Sequence, residues 1–199
     1  MGLSLWLVPG ETDAQNIQKI MDIRPNPASS TNQASYPRFH PHITLSTLPT
    51  DPEPTAEQIE AAIPAFSRPL SVTIDHVEGN GDHYFRSVYL AIQPSADLVS
   101  LHERLHLALS IAHPRTPKFP HMSLVYITDE DAAKGERTKY FDAIASRIRA
   151  TGGAVSLNCG TQEEENRVSD LTLRQVWVAR CEGPVETWVV EKKIPLRVD

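Results

Sequence analysis

The chain has 199 residues and a formal net charge of −6, and 40% of its residues are hydrophobic. That length and composition fit one globular unit able to bury a core. The acidity excludes a long nucleic-acid track, which would call for a basic stripe, but leaves room for a small anionic ligand at a local positive site. No apolar run approaches the ~20 residues of a membrane span. The apolar stretch 3–8 is too short for a signal peptide and has no basic flank. Trp6 stands where a myristoylation motif wants Ser or Thr. The sequence therefore reads as a soluble intracellular protein. Cys159 and Cys181 fall in separate predicted strands and form no Cys-x-x-Cys pair, so two buried thiols in a reducing compartment are expected rather than a zinc cage.

In chain order, residues 4–8 read as a strand stopped by Pro9-Gly10, and 11–23 as a helix with early acids and Ile17, Ile20 and Met21 at helical spacing. Residues 24–38 form a proline-rich polar loop, expected to be a mobile surface segment. Residues 42–48 read as a strand, and 55–63 as a short helix capped by Thr55. Residues 70–78 alternate as a strand, and 79–82 carry a hairpin signal. The hairpin leads into a partner strand at 83–93, with Phe85 and Arg86 near its start. Residues 96–108 read as a helix with a leucine stripe, and 111–120 as a second proline-rich loop with Arg115 and Lys118, two sources of positive potential. Residues 122–127 read as a strand. A long helix is expected over 128–149, ended by Gly152-Gly153. A strand at 154–160, an exposed acidic loop at 161–170 and strands at 171–181 and 186–196 complete the chain. Antiparallel strands with helices outside make the class α+β.

Two stretches echo each other. Phe39-His40-Pro41-His42-Ile43-Thr44-Leu45 and Phe119-Pro120-His121-Met122-Ser123-Leu124 share Pro-His-x-(Thr/Ser)-Leu. Side chains at i and i+2 of a strand share a face, so each copy sets an imidazole beside a hydroxyl, with apolar residues on the opposite face. One His-x-Thr on a strand is usually a solvated face; two copies 79 positions apart point to two similar halves and a joint function. Paired imidazoles suit a base and an acid near neutral pH, and hydroxyls suit the oxygens of a phosphate. A third pattern, His102-Glu103-Arg104-Leu105-His106, matches the zincin motif. It also fits an amphipathic helix whose histidines flank a leucine stripe, the favoured reading. A zinc hydrolase built on His102, Glu103 and His106 remains as an alternative.

The paired motifs resemble the signature of the two-histidine phosphoesterase superfamily. Arg38-Phe39-His40-Pro41-His42, Ser123-Leu124-Val125-Tyr126 and Glu186-Thr187-Trp188 resemble the plant and fungal cyclic nucleotide phosphodiesterases in particular. The resemblance implies a single bilobal domain over 1–199, with two antiparallel sheets facing a central cleft, helices outside, and one motif from each lobe. It implies His42 and His121 as the acid-base pair and Thr44, Ser123 and Tyr126 as phosphate contacts, with no cofactor and no metal. It also implies hydrolysis of 2',3'-cyclic nucleotides to 2'-phosphates, and of ADP-ribose 1'',2''-cyclic phosphate, a by-product of tRNA splicing. Among the aromatics, Tyr84, Phe85 and Trp188 are candidates to stack on a base, Phe85 and Trp188 foremost. A small cyclic-phosphate nucleotide is the expected partner, a monomer the expected state, and the cytoplasm the expected location; the fungal relatives extend this to a Golgi association. The same cleft holding a phosphorylated RNA end without turnover is the remaining alternative.

Overall fold

The computed structural model describes residues 2–25, 32–79, 81–111, 116 and 118–199. Ten strands and five helices are present among them. In chain order they are β1 (Leu3–Pro9), α1 (Glu11–Met21), β2 (Ile43–Thr47), α2 (Ala56–Ala62), β3 (Leu70–Glu78), β4 (Val88–Ile92), α3 (Ala96–Ala108), β5 (His121–Val125), α4 (Asp129–Ala133), α5 (Glu136–Ala145), β6 (Ile148–Thr151), β7 (Ala154–Asn158), β8 (Arg167–Val168), β9 (Asp170–Arg180) and β10 (Val189–Pro195). All the strand pairings within the two sheets are antiparallel, so the α+β class expected from the sequence is the one observed. The larger sheet runs β1-β2-β5-β4-β3-β9-β10, and β9 also pairs with β1, so the order closes on itself; β6-β7-β8 form the smaller sheet.

Strand β9 joins β3 to β1 and β10. Its first residues, Asp170 to Leu173, pair with β3, and the rest of its length pairs with β1 and β10. The inner faces of these strands make one core. Leu5, Leu7, Ile43, Leu45, Ile74, Leu90, Met122, Leu124, Val176 and Val178 are buried there with Ile17 and Ile20 of α1 and Leu98, Leu101 and Leu105 of α3. Burying aliphatic side chains of this size contributes roughly 1.5–3 kcal/mol each. On the opposite face of β1 and β9, Trp6, Val8, Trp177, Ala179 and Cys181 form a second cluster against Trp188 and Val190.

Caps explain the helix starts. Thr55 accepts from the Gln58 amide while the Gln58 side chain accepts from the Thr55 amide, a full capping box. Ser95 caps α3 through the Leu98 amide, and Thr128 caps α4 through the Asp131 amide. The polar loop 24–38 and the loop 111–120 are only partly described: residues 26–31 and 112–115, Arg115 among them, lie outside the described residues, as does Asn80 at the expected hairpin tip.

Four expectations are corrected. The strand expected from 83 begins instead at Val88, after a 3₁₀ turn at Tyr84–Arg86. Ser87 is the reason. Its hydroxyl lies 2.9 Å from the Tyr84 carbonyl and 3.1 Å from that of Ile127, and it accepts from the Ile127 amide and from Arg137 Nε. Arg137 also donates to the Gly81 and Ile127 carbonyls. The chain is so tight here that a Cβ at Gly81 would fall 1.4 Å from the Arg86 carbonyl oxygen. The helix expected over 128–149 is two helices, broken at Gly135, whose φ of 84° favours glycine. Its expected last turn is instead β6, and Gly152-Gly153, with φ of 54° and 96°, turn a hairpin into β7 rather than ending a helix. The acidic loop 161–170 holds the short strand β8. The last strand begins at Val189, because Val185–Thr187 make a 3₁₀ turn with the Thr187 hydroxyl on the Glu182 and Pro184 carbonyls.

Candidate active site

The two motifs meet in the middle of the larger sheet. Ile43 of β2 pairs with Met122 of β5, and both are fully buried. An antiparallel register through that pair brings His42 towards Ser123 and Thr44 towards His121. Each histidine is thus set across from the other motif's hydroxyl residue. All four line one cavity of about 230 Å³, on the face away from the main core. The alternation read from the sequence is therefore the alternation seen: Ile43, Leu45, Met122 and Leu124 face the core, and His42, Thr44, His121 and Ser123 face the cavity.

The histidines are held in matching tautomers. His42 Nδ1 lies 2.7 Å from the His40 carbonyl, and His121 Nδ1 lies 3.1 Å from the Lys118 carbonyl. Only an N–H can make such a contact, so Nδ1 carries the hydrogen and each neutral ring keeps its Nε2 lone pair. Around them, His42 stacks on Trp6 at 4.0 Å between ring centroids, with Phe39 at its edge. His121 meets the edge of Tyr89 at 5.2 Å. Burial pushes the His42 pKa down to about 4, and the neighbouring His40 and His121 add to the fall. Burial also pushes His121 down to about 4, with the Arg86 charge acting in the same direction. At neutral pH both rings are neutral bases.

Of the other residues expected at the phosphate and the base, Tyr126, Phe85 and Trp188 are at this cavity and Tyr84 is not; Lys118 does not line it either. Tyr126 is buried and stacks face to face on Phe39 at 4.0 Å. Burial raises its phenol pKa well above the usual range, and Cys181 and Tyr84 add to this, so it stays a hydroxyl donor. Phe85 and Trp188 line the cavity with their rings 5.7 Å apart. Tyr84 is not among the lining residues; its hydroxyl donates to the Ala34 carbonyl. Ser123 donates its hydroxyl hydrogen to the Phe85 carbonyl at 2.7 Å, so it offers an incoming ligand an acceptor unless that bond is exchanged.

Sequence reasoning singled out neither Trp6 nor Arg86 as a site residue, and both line the cavity. Trp6 belongs to a strand whose apolar run gave no sign of which face would be functional. Arg86 sits on the turn that was read as strand. Cys181 also lines the cavity, its thiol pushed up to about 12 by burial. Cys181 and Cys159 are both free and buried.

His102 and His106 lie elsewhere, on α3, with rings 4.0 Å apart and His102 stacked on Phe119. His106 Nδ1 is 2.6 Å from the His102 carbonyl, and Glu103 is exposed. Among the described residues no third His, Cys, Asp or Glu joins them as a group that could hold a metal ion. No helix of the described residues is long and apolar enough to cross a membrane.

A family model described as cyclic phosphodiesterase-like protein matches residues 1–196. The chain belongs to this family of two-histidine phosphoesterases. Membership makes it a phosphodiesterase, a hydrolase. Among curated proteins none matches the chain. Solved structures share its fold at low identity. Escherichia coli LigT with 3'-AMP is 17% identical over 98% of each chain, with a TM-score of 0.51. TT0787 of Thermus thermophilus is 15% identical over 100% of each chain, with a TM-score of 0.55. A further phosphoesterase is 15% identical over 98% of each chain, with a TM-score of 0.54.

Proposed function

We propose that this phosphodiesterase opens 2',3'-cyclic nucleotides to nucleoside 2'-phosphates, with His42 and His121 as the acid-base pair. The observation that carries the reading is the pair of imidazoles with hydrogen-bearing Nδ1 atoms on backbone carbonyls and both rings lining one cavity. Hydrolysis forms one P–O bond to water and breaks the P–O bond to the ribose 3' oxygen. The water proton goes to the Nε2 of one neutral ring, and the leaving oxygen takes a proton from the other, protonated ring. Binding of the anion raises the imidazole pKa values, so the ligand itself provides the protonated partner. Thr44 and Tyr126 hold the non-bridging oxygens, and Ser123 joins them by exchanging its bond to the Phe85 carbonyl for one to the phosphate. The cavity takes phosphate and ribose, and the base rests against Phe85 and Trp188 at its mouth.

Support for a nucleotide as the occupant comes from the E. coli LigT structure with 3'-AMP. ADP-ribose 1'',2''-cyclic phosphate, carrying the same five-membered cyclic diester, is the second substrate of the proposal, with a place in tRNA splicing by-product metabolism. The motifs come from two halves of a single domain, a monomer suffices, and the unpaired thiols fit a reducing intracellular setting.

The test is incubation with the four nucleoside 2',3'-cyclic phosphates and chromatographic resolution of the product isomers. A nucleoside 2'-phosphate is expected, and a dominant 3'-phosphate would show that the pose of the substrate is wrong. His42→Ala and His121→Ala should each lose at least ~10²–10⁴ in rate, and the double variant should be little worse than either, because the two act as a unit. His102→Ala should stay active.

A further inference from the structure

We propose that Arg86 binds the phosphate of the ligand and serves as the fixed positive charge of the cavity. This deepens the reading above and rests on it. Among the described lining residues Arg86 is the one arginine, and no lysine, aspartate or glutamate accompanies it. The two motif histidines are neutral at neutral pH, and the chain as a whole is acidic. An anion that leaves water for a cavity of neutral donors meets a desolvation penalty with nothing opposite it. The Arg86 guanidinium is the opposing charge.

Its geometry is that of a donor held in reserve. The side chain is 15% exposed, and its one ion pair among the described residues, to Asp82, is 3.6 Å long, beyond the range of a charge-assisted hydrogen bond. Asp82 is itself 83% exposed, so water competes for that carboxylate. Among the described residues the buried Nε of Arg86 has no hydrogen-bond partner. A buried donor left unmade is destabilising, so the guanidinium stands at the cavity wall without a close protein acceptor among the described residues, which leaves its terminal N–H groups to meet an arriving anion. The planar guanidinium also presents parallel N–H groups that match two oxygens of one phosphate. Arg86 follows Phe85, whose carbonyl takes the Ser123 hydroxyl hydrogen. The same turn therefore occupies one motif hydroxyl and sets a stronger donor beside it.

The experiment is calorimetric titration of inorganic phosphate into the wild-type protein and into Arg86→Met, Arg86→Lys and Asp82→Asn, with turnover of the cyclic nucleotides followed in parallel. Loss of a charged hydrogen-bonding partner should weaken phosphate binding roughly 10–100-fold in Arg86→Met. Arg86→Lys should recover part of that loss through charge alone, and Asp82→Asn should bind more tightly, because the competing carboxylate is gone. Histidine titration by NMR adds a readout that a merely structural arginine would not move: the His121 pKa should rise in Arg86→Met. Unchanged phosphate affinity in Arg86→Met, no recovery in Arg86→Lys, or no phosphate binding by the wild type overturns the proposal. Turnover by the wild type with Arg86-independent phosphate binding would sink this inference and keep the hydrolase reading. Arg86-dependent phosphate binding without turnover of any cyclic nucleotide would do the reverse.

Discussion

Replacing His42 by Asn should change how stability depends on pH, and the size of the change follows from its burial. In the folded chain His42 is 6% exposed beneath Trp6, and burial lowers its pKa from 6.5 to about 4. In the unfolded chain the imidazole keeps an ordinary value near 6.5. Above that pH the ring is neutral in both states. As pH falls from 6.5 to 4 the unfolded chain takes up a proton that the folded chain refuses, so stability drains away with acidification. At about 1.4 kcal/mol per factor of ten in proton affinity, the loss amounts to about 3 kcal/mol. That is a large part of the ~5–15 kcal/mol that holds a typical domain folded. The Asn side chain has nothing to titrate. Urea unfolding at a series of pH values gives the stability of each protein, and the wild-type advantage over His42→Asn should shrink by about 3 kcal/mol between pH 6.5 and pH 4. The carboxylates and His121 titrate in both proteins and cancel in the difference. Parallel curves for the two proteins would refute the claim that the folded site excludes a proton from this ring.

Three further outcomes are expected. Nucleoside 2'-phosphate binding near neutral pH should draw in a proton, because an anion beside two neutral imidazoles raises their pKa values; calorimetry in buffers of different ionisation enthalpy measures the uptake, and none would count against the pairing. Thr44→Val and Ser123→Ala should each lower kcat/KM by roughly 10–100-fold, from charge-assisted bonds of about 1.5–3 kcal/mol. Ser123→Ala should in addition loosen the turn at Phe85, which hydrogen exchange of the Tyr84–Arg86 amides would show. Phe85→Ala and Trp188→Ala should raise KM more than they lower kcat, by about 1–3 kcal/mol of lost stacking, and an unchanged KM in both would move the base elsewhere.

The motif strands were legible because a strand has a period of two. Once His42 and Thr44 share a face, Ile43 and Leu45 must face the core, and burial bears this out. Helices α2 and α3 were legible from Thr55, Ser95 and their apolar spacing, all local signals. The turn at Tyr84–Arg86 was not, because the Ser87 that holds it is pinned by Ile127 and Arg137, forty and fifty residues away. Pattern reading sees neighbours in sequence, whereas this anchor exists only after the chain has folded. The break at Gly135 and the Gly152-Gly153 hairpin did leave signals. A glycine inside a helical pattern weakens it, and a Gly-Gly pair between alternating segments marks a hairpin. Tyr140, Phe141, Ile144 and Ile148, apolar at helical spacing, outweighed the first, and the second fits a helix end as well as a hairpin. Phe85 and Trp188 reach the cavity from turns rather than from the strands expected, so their residue type pointed to the site while their backbone did not.

The crossing of the motifs has a chemical corollary. With His42 towards Ser123 and His121 towards Thr44, the centre of the site is close to a twofold arrangement, and a half-turn would exchange base for acid. A cyclic phosphate offers two ribose oxygens that could leave, and such a centre is blind to the choice between them. Regiochemistry must then be written in what breaks the twofold. On one side lies the indole of Trp6 beneath His42; on the other lie Tyr89 and the Arg86 charge beside His121. On the proposed reading, which isomer is released depends on residues outside both motifs, and two family members with identical His-x-Thr and His-x-Ser strands need not make the same product.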